Sequence, residues 1–448
     1  RSTFLRKLLF RSADAANAKS AEGSRLSQSG ITDLASQWRA AVIEMPGIAR
    51  PSLWGVLGML LAYSLVIGPL DFVLAHKLLH RPHWTWATFP ILVSVASIGT
   101  LWLAREVNGN SARLTQLDVV DIDVVRQEVF SRSWATTYST ENQLCRVETR
   151  RLPPNPTSTD STSKSQVSWL GFPENSPGGM YRPSGFDLGR IVYRSSADAT
   201  VLEGIPLGQW SSKSLTSESR WVESRPLIEC DLVSPAANEL SGQVVHHFPF
   251  VLQDWIVAFE GRVFRPHPKA GDEATKWAAN QPWDPNGSTV YPREMRGFLT
   301  RTKATKIQSK KKITSEDILI EQERYNPLDL DPGDILQMMT LHEAAGGKAY
   351  TGLDHASLRS FDLTPLLSLD RAVLIARVPE PQTEWHFNGE ARRPTRHHAF
   401  VRLLLPVQRP STDTSGFRRL PKFENIPPAP APDEKPNATP APSETKSP

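Results

Sequence analysis

Two long stretches without a charged residue constrain this 448-residue chain more than any other feature. The first is Leu53–Leu70, and its apolar run continues after Asp71. The second is Trp84–Ala104. About 20 residues of α-helix cross the hydrocarbon core of a bilayer, which is about 30 Å thick. Neither stretch carries the polar stripe of a soluble amphipathic helix. The pattern therefore predicts a transmembrane α-helical hairpin over residues 51–105.

Tryptophans near the ends of both stretches support this prediction. Trp54, Trp84, Trp86 and Trp102 stand where amphipathic rings prefer the headgroup level of a bilayer. The alternative is a helical hairpin buried inside a large soluble core. Two neighbouring apolar runs with aromatic ends are rare in soluble domains, so the membrane hypothesis is favoured.

Gly68, Pro69 and Asp71 interrupt the first predicted span. A proline inside a span frees a backbone carbonyl, and a neighbouring helix can tolerate that, so a kink is expected here. An acid within a membrane is by default a functional-site hypothesis. The alternative is that Asp71 lies at the interface near Lys77, because two helices supply few polar partners for an ion pathway.

The composition excludes several classes of function. A formal net charge of +4 is too small to indicate nucleic-acid binding. Two cysteines in the whole chain exclude a disulfide-dense secreted scaffold and a cysteine-based zinc or iron–sulfur cluster. The sequence also lacks a phosphate-binding P-loop and a nucleophile elbow, so no cofactor is predicted.

The chain divides into four predicted regions. Residues 1–50 form the flank of a region expected to continue before Arg1, and they include an amphipathic helix over 31–45. The hairpin at 51–105 is followed by a β-rich domain at 106–410. The Pro- and Ala-rich tail at 411–448 cannot bury enough apolar surface to order itself.

The amphipathic helix over 31–45 has Thr32 as its predicted N-cap. We expect its apolar face to lie on the membrane surface or against the preceding region. That face consists of Leu34, Trp38, Ala41, Val42 and Met45.

Residues 106–410 show many short apolar runs separated by Gly and Pro, a pattern typical of an antiparallel sandwich. The clearest strand signal is Gln116–Phe130, where Asp118, Asp121 and Asp123 interleave with valines and are expected to point outward rather than bind calcium. Further predicted strands are Leu144–Val147, Arg190–Tyr193, Val201–Leu207, Pro226–Leu232, Val244–Val251, Trp255–Phe264, Ala372–Val378 and Phe400–Val407.

At least one helix is predicted inside this domain. It begins after Asp331-Pro332, carries apolar residues from Ile335 to Leu341, and ends at Gly346-Gly347. The predicted fold class is therefore mixed: a transmembrane helical hairpin followed by a mainly-β, antiparallel sandwich-like domain with one or two helices.

Three segments resemble a family of large uncharacterised bacterial membrane proteins. They are LVIGPLDFVLAHKLLHRPHWTWATFPILVSVASIGTLWLA followed by LTQLDVVDID, then MMTLHEAAGGKAYTGLDH, then DLTPLLSLDRAVLIARV. The shared pattern is a span ending in Gly-Pro-Leu-Asp, a short basic loop, a Trp-containing second span and a β-rich domain. The resemblance implies a cytoplasmic loop and an extracytoplasmic β-domain. It implies no catalytic residues.

Candidate catalytic groups are few. His342-Glu343 lacks the second histidine of a zinc-protease helix, so His342 is interpreted as a packed or capping residue. An envelope hydrolase would instead need His342, Glu343 and Asp354 gathered in one cleft. The adjacent pairs His246-His247 and His397-His398 allow a metal site only across two strands, and no metal is predicted.

Cys145 and Cys230 are the only thiols. Outside the cytoplasm they could form a disulfide, whereas inside it they would be buried and inert.

These patterns predict a multi-pass protein of the inner (cytoplasmic) membrane. Its extracytoplasmic β-domain is expected to act as a binding or assembly module of the cell envelope. The expected partners are the lipid bilayer and either another envelope protein or the region before Arg1, with no nucleic acid. The alternatives are an accessory subunit of a membrane transport complex and the envelope hydrolase.

Overall fold

The computed structural model describes residues 31–45, 53–70, 85–109, 111–152, 165–170, 194–306 and 318–410. Its helices are α1 (Leu34–Ile43), α2 (Leu53–Leu65), α3 (Thr85–Asn108), α4 (Met295–Leu299), α5 (Pro332–Thr340), α6 (His342–Ala345), α7 (Lys348–Thr351) and α8 (Thr364–Leu367). A π-helical turn, Val66–Leu70, extends α2.

The strands in the first half of the domain are β1 (Arg113–Asp123), β2 (Glu128–Ser139), β3 (Gln143–Arg151), β4 (Gln166–Trp169), β5 (Arg194–Ser195), β6 (Val201–Leu207), β7 (Ser211–Val222), β8 (Ile228–Cys230), β9 (Leu232–Val233) and β10 (Val244–His246). Those in the second half are β11 (Leu252–Phe259), β12 (Arg262–Pro266), β13 (Lys276–Trp277), β14 (Val290–Glu294), β15 (Lys303–Lys306), β16 (Ile318–Glu321), β17 (Arg371–Val378), β18 (Thr383–Phe387), β19 (Glu390–Arg392) and β20 (Arg396–Gln408).

A large mixed sheet dominates the domain. Its order is β14-β12-β11-β17-β20-β1-β2-β7-β4, with β13 beside β11 and β9 beside β20. The two central strands, β1 and β20, run parallel, whereas the other neighbours on this path pair antiparallel. A mainly-β domain with a few helices is thus confirmed, but its sheet is not purely antiparallel.

The side chains of β1 show that both faces of this sheet are buried. Leu117 and Val119 face one core, and Val120 and Ile122 face another. The predicted single run Gln116–Phe130 is a hairpin, because the chain turns after β1 and returns as β2. The Asp123 carboxylate accepts the backbone N–H groups of the turn at 3.0 and 3.1 Å.

One face of the sheet carries a helical layer. It is built from α1 and α4–α8, and its core includes Trp38, Trp134, Met339 and Phe361. The opposite face carries a five-stranded sheet, β19-β18-β3-β6-β5, over one part and a Trp- and Phe-rich cluster over another. The sandwich prediction therefore describes only one part of the domain.

Helix α1 belongs to this helical layer. Its N-cap is Asp33, whose carboxylate accepts the N–H of Ala35 at 2.7 Å, and not Thr32. The Trp38 ring lies 5.4 Å from the Trp134 ring of β2 and is fully buried. The apolar face of α1 thus packs on the β-domain and not on a membrane or on residues before Arg1.

Helix α5 begins as expected. Asp331 caps it by accepting the N–H of Gly333 at 2.7 Å, and Pro332 occupies its first turn. The helix breaks at Leu341, and the short α6 ends at Gly346, whose φ of 110° favours glycine. The predicted helix is therefore two helices.

Helices α2 and α3 contain the predicted hairpin. Among the described residues, Phe89–Glu106 is long and apolar enough to cross a membrane, and Trp54–Pro69 is a shorter apolar helix. Gly68 and Pro69 lie in the π-helical turn. This leaves the two-span hairpin unconfirmed. Asp71, the predicted strand 190–193 and the tail 411–448 lie outside the described residues.

A buried arginine joins the helical layer to the centre of the sheet. Arg402 of β20 is 1% exposed, and its Nε and Nη2 atoms contact the two carboxylate oxygens of Asp121 at 2.6 and 2.7 Å. Its Nη1 donates to the Thr340 hydroxyl at 3.0 Å and to the Phe361 carbonyl at 2.8 Å. Every nitrogen of the guanidinium thus has a partner.

We expect Asp121→Asn to lower the free energy of unfolding by about 3 kcal/mol, because it leaves a buried guanidinium without its counter-charge. Denaturant unfolding of the detergent-solubilised protein measures this loss. Glu128→Gln is the matched control, since it removes an ion pair whose partners, Glu128 and Arg220, are 31% and 67% exposed. The control should change stability by less than about 1 kcal/mol. Equal losses in the two variants would contradict the role given to Arg402.

Candidate binding cleft

A polar cleft opens on the helical face of the domain. Its volume is about 680 Å³, which lies within the usual size range of small-molecule sites. One wall is the antiparallel β12–β14 pair with α4, and the other is α5 with residues 323–329. The charged lining residues are Arg265, Arg293, Arg301, Glu323, Arg324, Asp329 and Asp334.

Helix α1 holds the 323–329 wall in place. The fully buried Gln37 donates from its amide nitrogen to the carbonyls of Asn326 and Asp329, at 3.2 and 2.8 Å. Its amide oxygen accepts the Tyr325 hydroxyl at 2.7 Å. Burial raises the pKa of Tyr325 above its ordinary value, so the phenol remains a neutral donor.

Arg301 ties the two walls together across the cleft. Its guanidinium bonds the Asp334 carboxylate and lies 3.8 Å from Glu323. The negative charge of Asp334 is the largest cause of the raised pKa of Arg301. Burial raises the pKa of Asp334, and Asp331 and Asp329 add to that rise against the opposing effect of Arg301. Acidic groups thus concentrate at the α5 wall.

A smaller cavity of about 200 Å³ also borders α5 and shares Asp334 and Gln337 with the cleft. In it, the two ring nitrogens of His398 are each 3.1 Å from an arginine, Arg377 on one side and Arg396 on the other. Burial and these two cations lower the pKa of His398 to about 4. The imidazole is therefore neutral at neutral pH and can accept from only one of the two arginines.

The predicted hydrolase groups His342, Glu343 and Asp354 lie near one another, since burial lowers the pKa of His342 and both acids raise it against that effect. His342 is buried, with Nε2 3.4 Å from the Thr351 hydroxyl, whereas the Glu343 side chain is exposed. The exposed Asp354 carboxylate pairs with Lys348 at 2.7 Å. In the described part of the chain no hydrogen bond joins His342, Glu343 and Asp354, and none of them lines the two cavities above.

His355 is a neighbour of His342 that the sequence did not reveal. The two rings lie 5.1 Å apart, and burial lowers the pKa of both below the ordinary histidine value. The other histidine pairs do not converge: His246 is in β10, paired with β8, whereas His397 and His398 are in β20. Across the described ranges, no group of three potential ligands is placed to hold a metal ion.

Asp118 points inward and not outward as predicted. It is completely buried and accepts the N–H groups of Gln382 and Thr383, at 2.7 and 3.3 Å, and the Gln116 amide at 2.8 Å. Asp121 likewise points at Arg402. Burial raises the pKa of Asp118 to about 6. The carboxylate thereby attaches the start of β18, and with it the second sheet, to β1.

Both cysteines are free thiols in this structure. Cys145 is buried in the core under the second sheet, near the Asn388 amide at 3.9 Å. Cys230 packs against the Trp- and Phe-rich cluster, and its thiol donates to the Pro406 carbonyl at 3.4 Å. Burial raises the pKa of Cys230 to about 11, so it is a poor nucleophile.

The cleft residues were missed by sequence analysis for a simple reason. Arg265, Arg293 and Tyr325 are spread over 61 positions and belong to no motif. A partial signal exists in the strands: Val263 pairs with Arg293, so Arg265 and Arg293 share one face of the β12–β14 pair. That signal can be used only when the register is known.

No protein-family model matches the chain, and no curated protein matches it either. Among solved structures, the μ-homology domain of yeast δ-COP-I aligns over 67% of this chain and 98% of its own, once alone and once complexed with a Dsl1 WxWxV peptide. The identity is 7% and the TM-score 0.24 in both cases. A likeness this low carries no conclusion about fold or function.

The raised pKa of Asp118 predicts a pH dependence of stability. Between pH about 4 and 6 the folded state binds this proton more tightly than the unfolded state, so the free energy of unfolding falls as pH rises. The fall from this group is up to about 3 kcal/mol. Asp118→Asn removes it, and pH-dependent denaturant unfolding measures the difference in slope.

The control for this experiment is Asp272→Asn, which replaces an exposed carboxylate. It should retain the wild-type slope. If Asp118→Asn also retains that slope, the buried carboxylate does not titrate in this range.

Proposed function

We propose that this protein is anchored in a membrane by the α2–α3 hairpin and that its β-domain is a binding or assembly module. One observation carries the anchor: most large apolar side chains of both helices are exposed among the described residues. On α2 these are Trp54, Val56, Leu57, Met59, Leu60, Leu61, Tyr63 and Leu65. On α3 they are Trp86, Phe89, Ile91, Val95, Ile98, Leu101, Trp102 and Leu103.

The free-energy cost of such exposure in water supports this proposal. Apolar area costs about 25 cal/mol per Å² in water, and soluble monomers rarely expose patches above a few hundred Å². At 1.5 Å per residue, the 24 residues of α3 extend about 36 Å, enough for the hydrocarbon core. The 18 residues of α2 with the π-helical turn extend about 27 Å, which fits with slight bilayer thinning.

The contact between the two helices also supports a hairpin. The π-helical turn at 66–70 packs against α3, and Pro69 lies inside this turn. A span can contain a proline where a neighbouring helix compensates for the lost hydrogen bond.

The topology rests on the family resemblance. We place the connection at 76–83 in the cytoplasm and the β-domain outside the inner membrane. The partner would be another envelope protein or the region before Arg1. Between the binding module and the envelope hydrolase, we favour the binding module, because His342, Glu343 and Asp354 share no hydrogen bond among the described residues and line neither cavity. The role of accessory subunit to a transport complex is compatible with the same anchor.

The anchor predicts that the wild-type protein stays in the membrane fraction after an alkaline carbonate wash and leaves it only with detergent. Ile98→Arg puts a charge in the middle of α3, at an insertion cost of about 3 kcal/mol, and should release part of the protein. Leu369→Arg is the control, because Leu369 is 64% exposed on the β-domain. A wild-type protein that is monodisperse without detergent would disprove the anchor.

The topology predicts opposite labelling at two engineered cysteines, in a background with Cys145 and Cys230 replaced by Ala. In intact spheroplasts an impermeant maleimide should label Lys269→Cys, which lies on the exposed surface of the β-domain. It should label Lys77→Cys only after permeabilisation. The reverse pattern would overturn the orientation and leave the anchor intact.

A further inference from the structure

The β12–β14 wall of the cleft carries two cations that no acid of the described chain neutralises. Arg265 and Arg293 are half-buried, and neither has a carboxylate within 4 Å among the described residues. Both line the cavity. Removing a cation from water is costly unless a counter-charge replaces the lost solvation, so this wall is electrostatically incomplete.

The register of the β12–β14 pair places these arginines together. Val263 pairs with Arg293 and Arg265 pairs with Tyr291, which makes the two arginines diagonal neighbours on one face, about 7 Å apart at the backbone. The guanidinium carbon of Arg265 lies 5.6 Å from the centre of the Phe298 ring, and this contact restricts its orientation. Two cations that project from neighbouring positions of one face repel each other, and an anion bound between them would offset that repulsion.

The acids of the cleft are engaged elsewhere. Asp334 and Glu323, which lie on the opposite wall, pair with Arg301 across the cleft. The Asp329 carboxylate accepts the N–H of Asp331 at 3.1 Å. The positive charges of Arg265 and Arg293 are therefore available to a ligand.

We propose that the cleft binds a small organic oxyanion, a phosphate or a carboxylate, between the guanidinium groups of Arg265 and Arg293. Planar guanidinium groups bind such oxygens through paired, charge-assisted hydrogen bonds. The apolar lining residues Phe298, Leu299 and Met338 provide a surface for the organic part of the ligand. A cavity of about 680 Å³ accommodates a molecule of this class.

This site is separate from the proposed anchor. The protein in neutral detergent reports on the cleft whether or not α2 and α3 span a bilayer. A failed anchor therefore does not imply a failed cleft, and the reverse also holds.

The test is isothermal titration calorimetry of the full chain in dodecyl maltoside, at constant ionic strength and without phosphate buffer. The probes are glycerol 3-phosphate, dihexanoyl phosphatidic acid below its micelle concentration, and citrate. We expect saturable binding of at least one probe. Tighter binding of phosphatidic acid than of glycerol 3-phosphate identifies a lipid headgroup as the source, equal binding identifies a soluble phosphate, and preference for citrate identifies a carboxylate.

Arg265→Gln and Arg293→Gln should each weaken this binding at least about tenfold, because each removes charge-assisted hydrogen bonds. Arg262→Gln is the matched control, since Arg262 lies on the same strand, three residues away and on the other face, and should bind within about twofold of the wild type.

A second readout separates binding from folding. Without ligand, the melting temperature of Arg293→Gln should equal or exceed that of the wild type, since the substitution relieves like-charge repulsion. Arg293→Lys keeps the charge but loses the paired geometry, and it should bind more weakly than the wild type. The proposal is overturned if no probe binds saturably, or if Arg265→Gln, Arg293→Gln and Arg293→Lys all bind as tightly as Arg262→Gln.

Discussion

The Arg402–Asp121 pair is the contact on which the layered structure depends. It lies between the two parallel central strands, and the same guanidinium reaches the end of α5 and the carbonyl of Phe361. A buried cation is tolerated only when its counter-charge and its hydrogen-bond acceptors are all in place. The pair therefore requires the sheet register and the position of the helical layer to form together, which couples two distant parts of the chain.

Two further buried polar side chains, Asp118 and Gln37, also connect separate parts of the structure. Asp118 attaches the second sheet through backbone N–H groups at 382 and 383. Gln37 attaches the 323–329 segment to α1. The irregular 323–329 segment can form a wall of the cleft because Gln37 satisfies its backbone carbonyls. Apolar packing alone would leave those buried carbonyls unpaired. Arg265 and Arg293 line the β12–β14 wall of the cleft, whereas the acidic residues Glu323, Asp329 and Asp334 line the opposite wall.

The first three helices of the chain, α1, α2 and α3, have different environments. Helix α1 buries Leu34 and Trp38 against the sheet, whereas α2 and α3 leave most of their large apolar side chains exposed among the described residues. The sequence distinguishes them by pattern: α1 has a polar face, and the other two have none. The sequence does not reveal what covers the apolar face of α1, because that surface comes from β1, β2 and α5, and α5 lies almost 300 positions later in the chain.

The sequence by itself determined the kinds of element: apolar runs without charge, strands with period two, and helix ends at Asp331 and Gly346. Local preference and the turn residues suffice for these. It did not reveal β7, whose serine-rich segment becomes a strand only because β2 and β4 flank it. The tertiary structure alone decided that Asp118 and Asp121 point inward, that β1 and β20 run parallel, and that Arg265 and Arg293 share a cleft. Side-chain direction and charge pairing depend on partners that only the folded register brings within hydrogen-bond range.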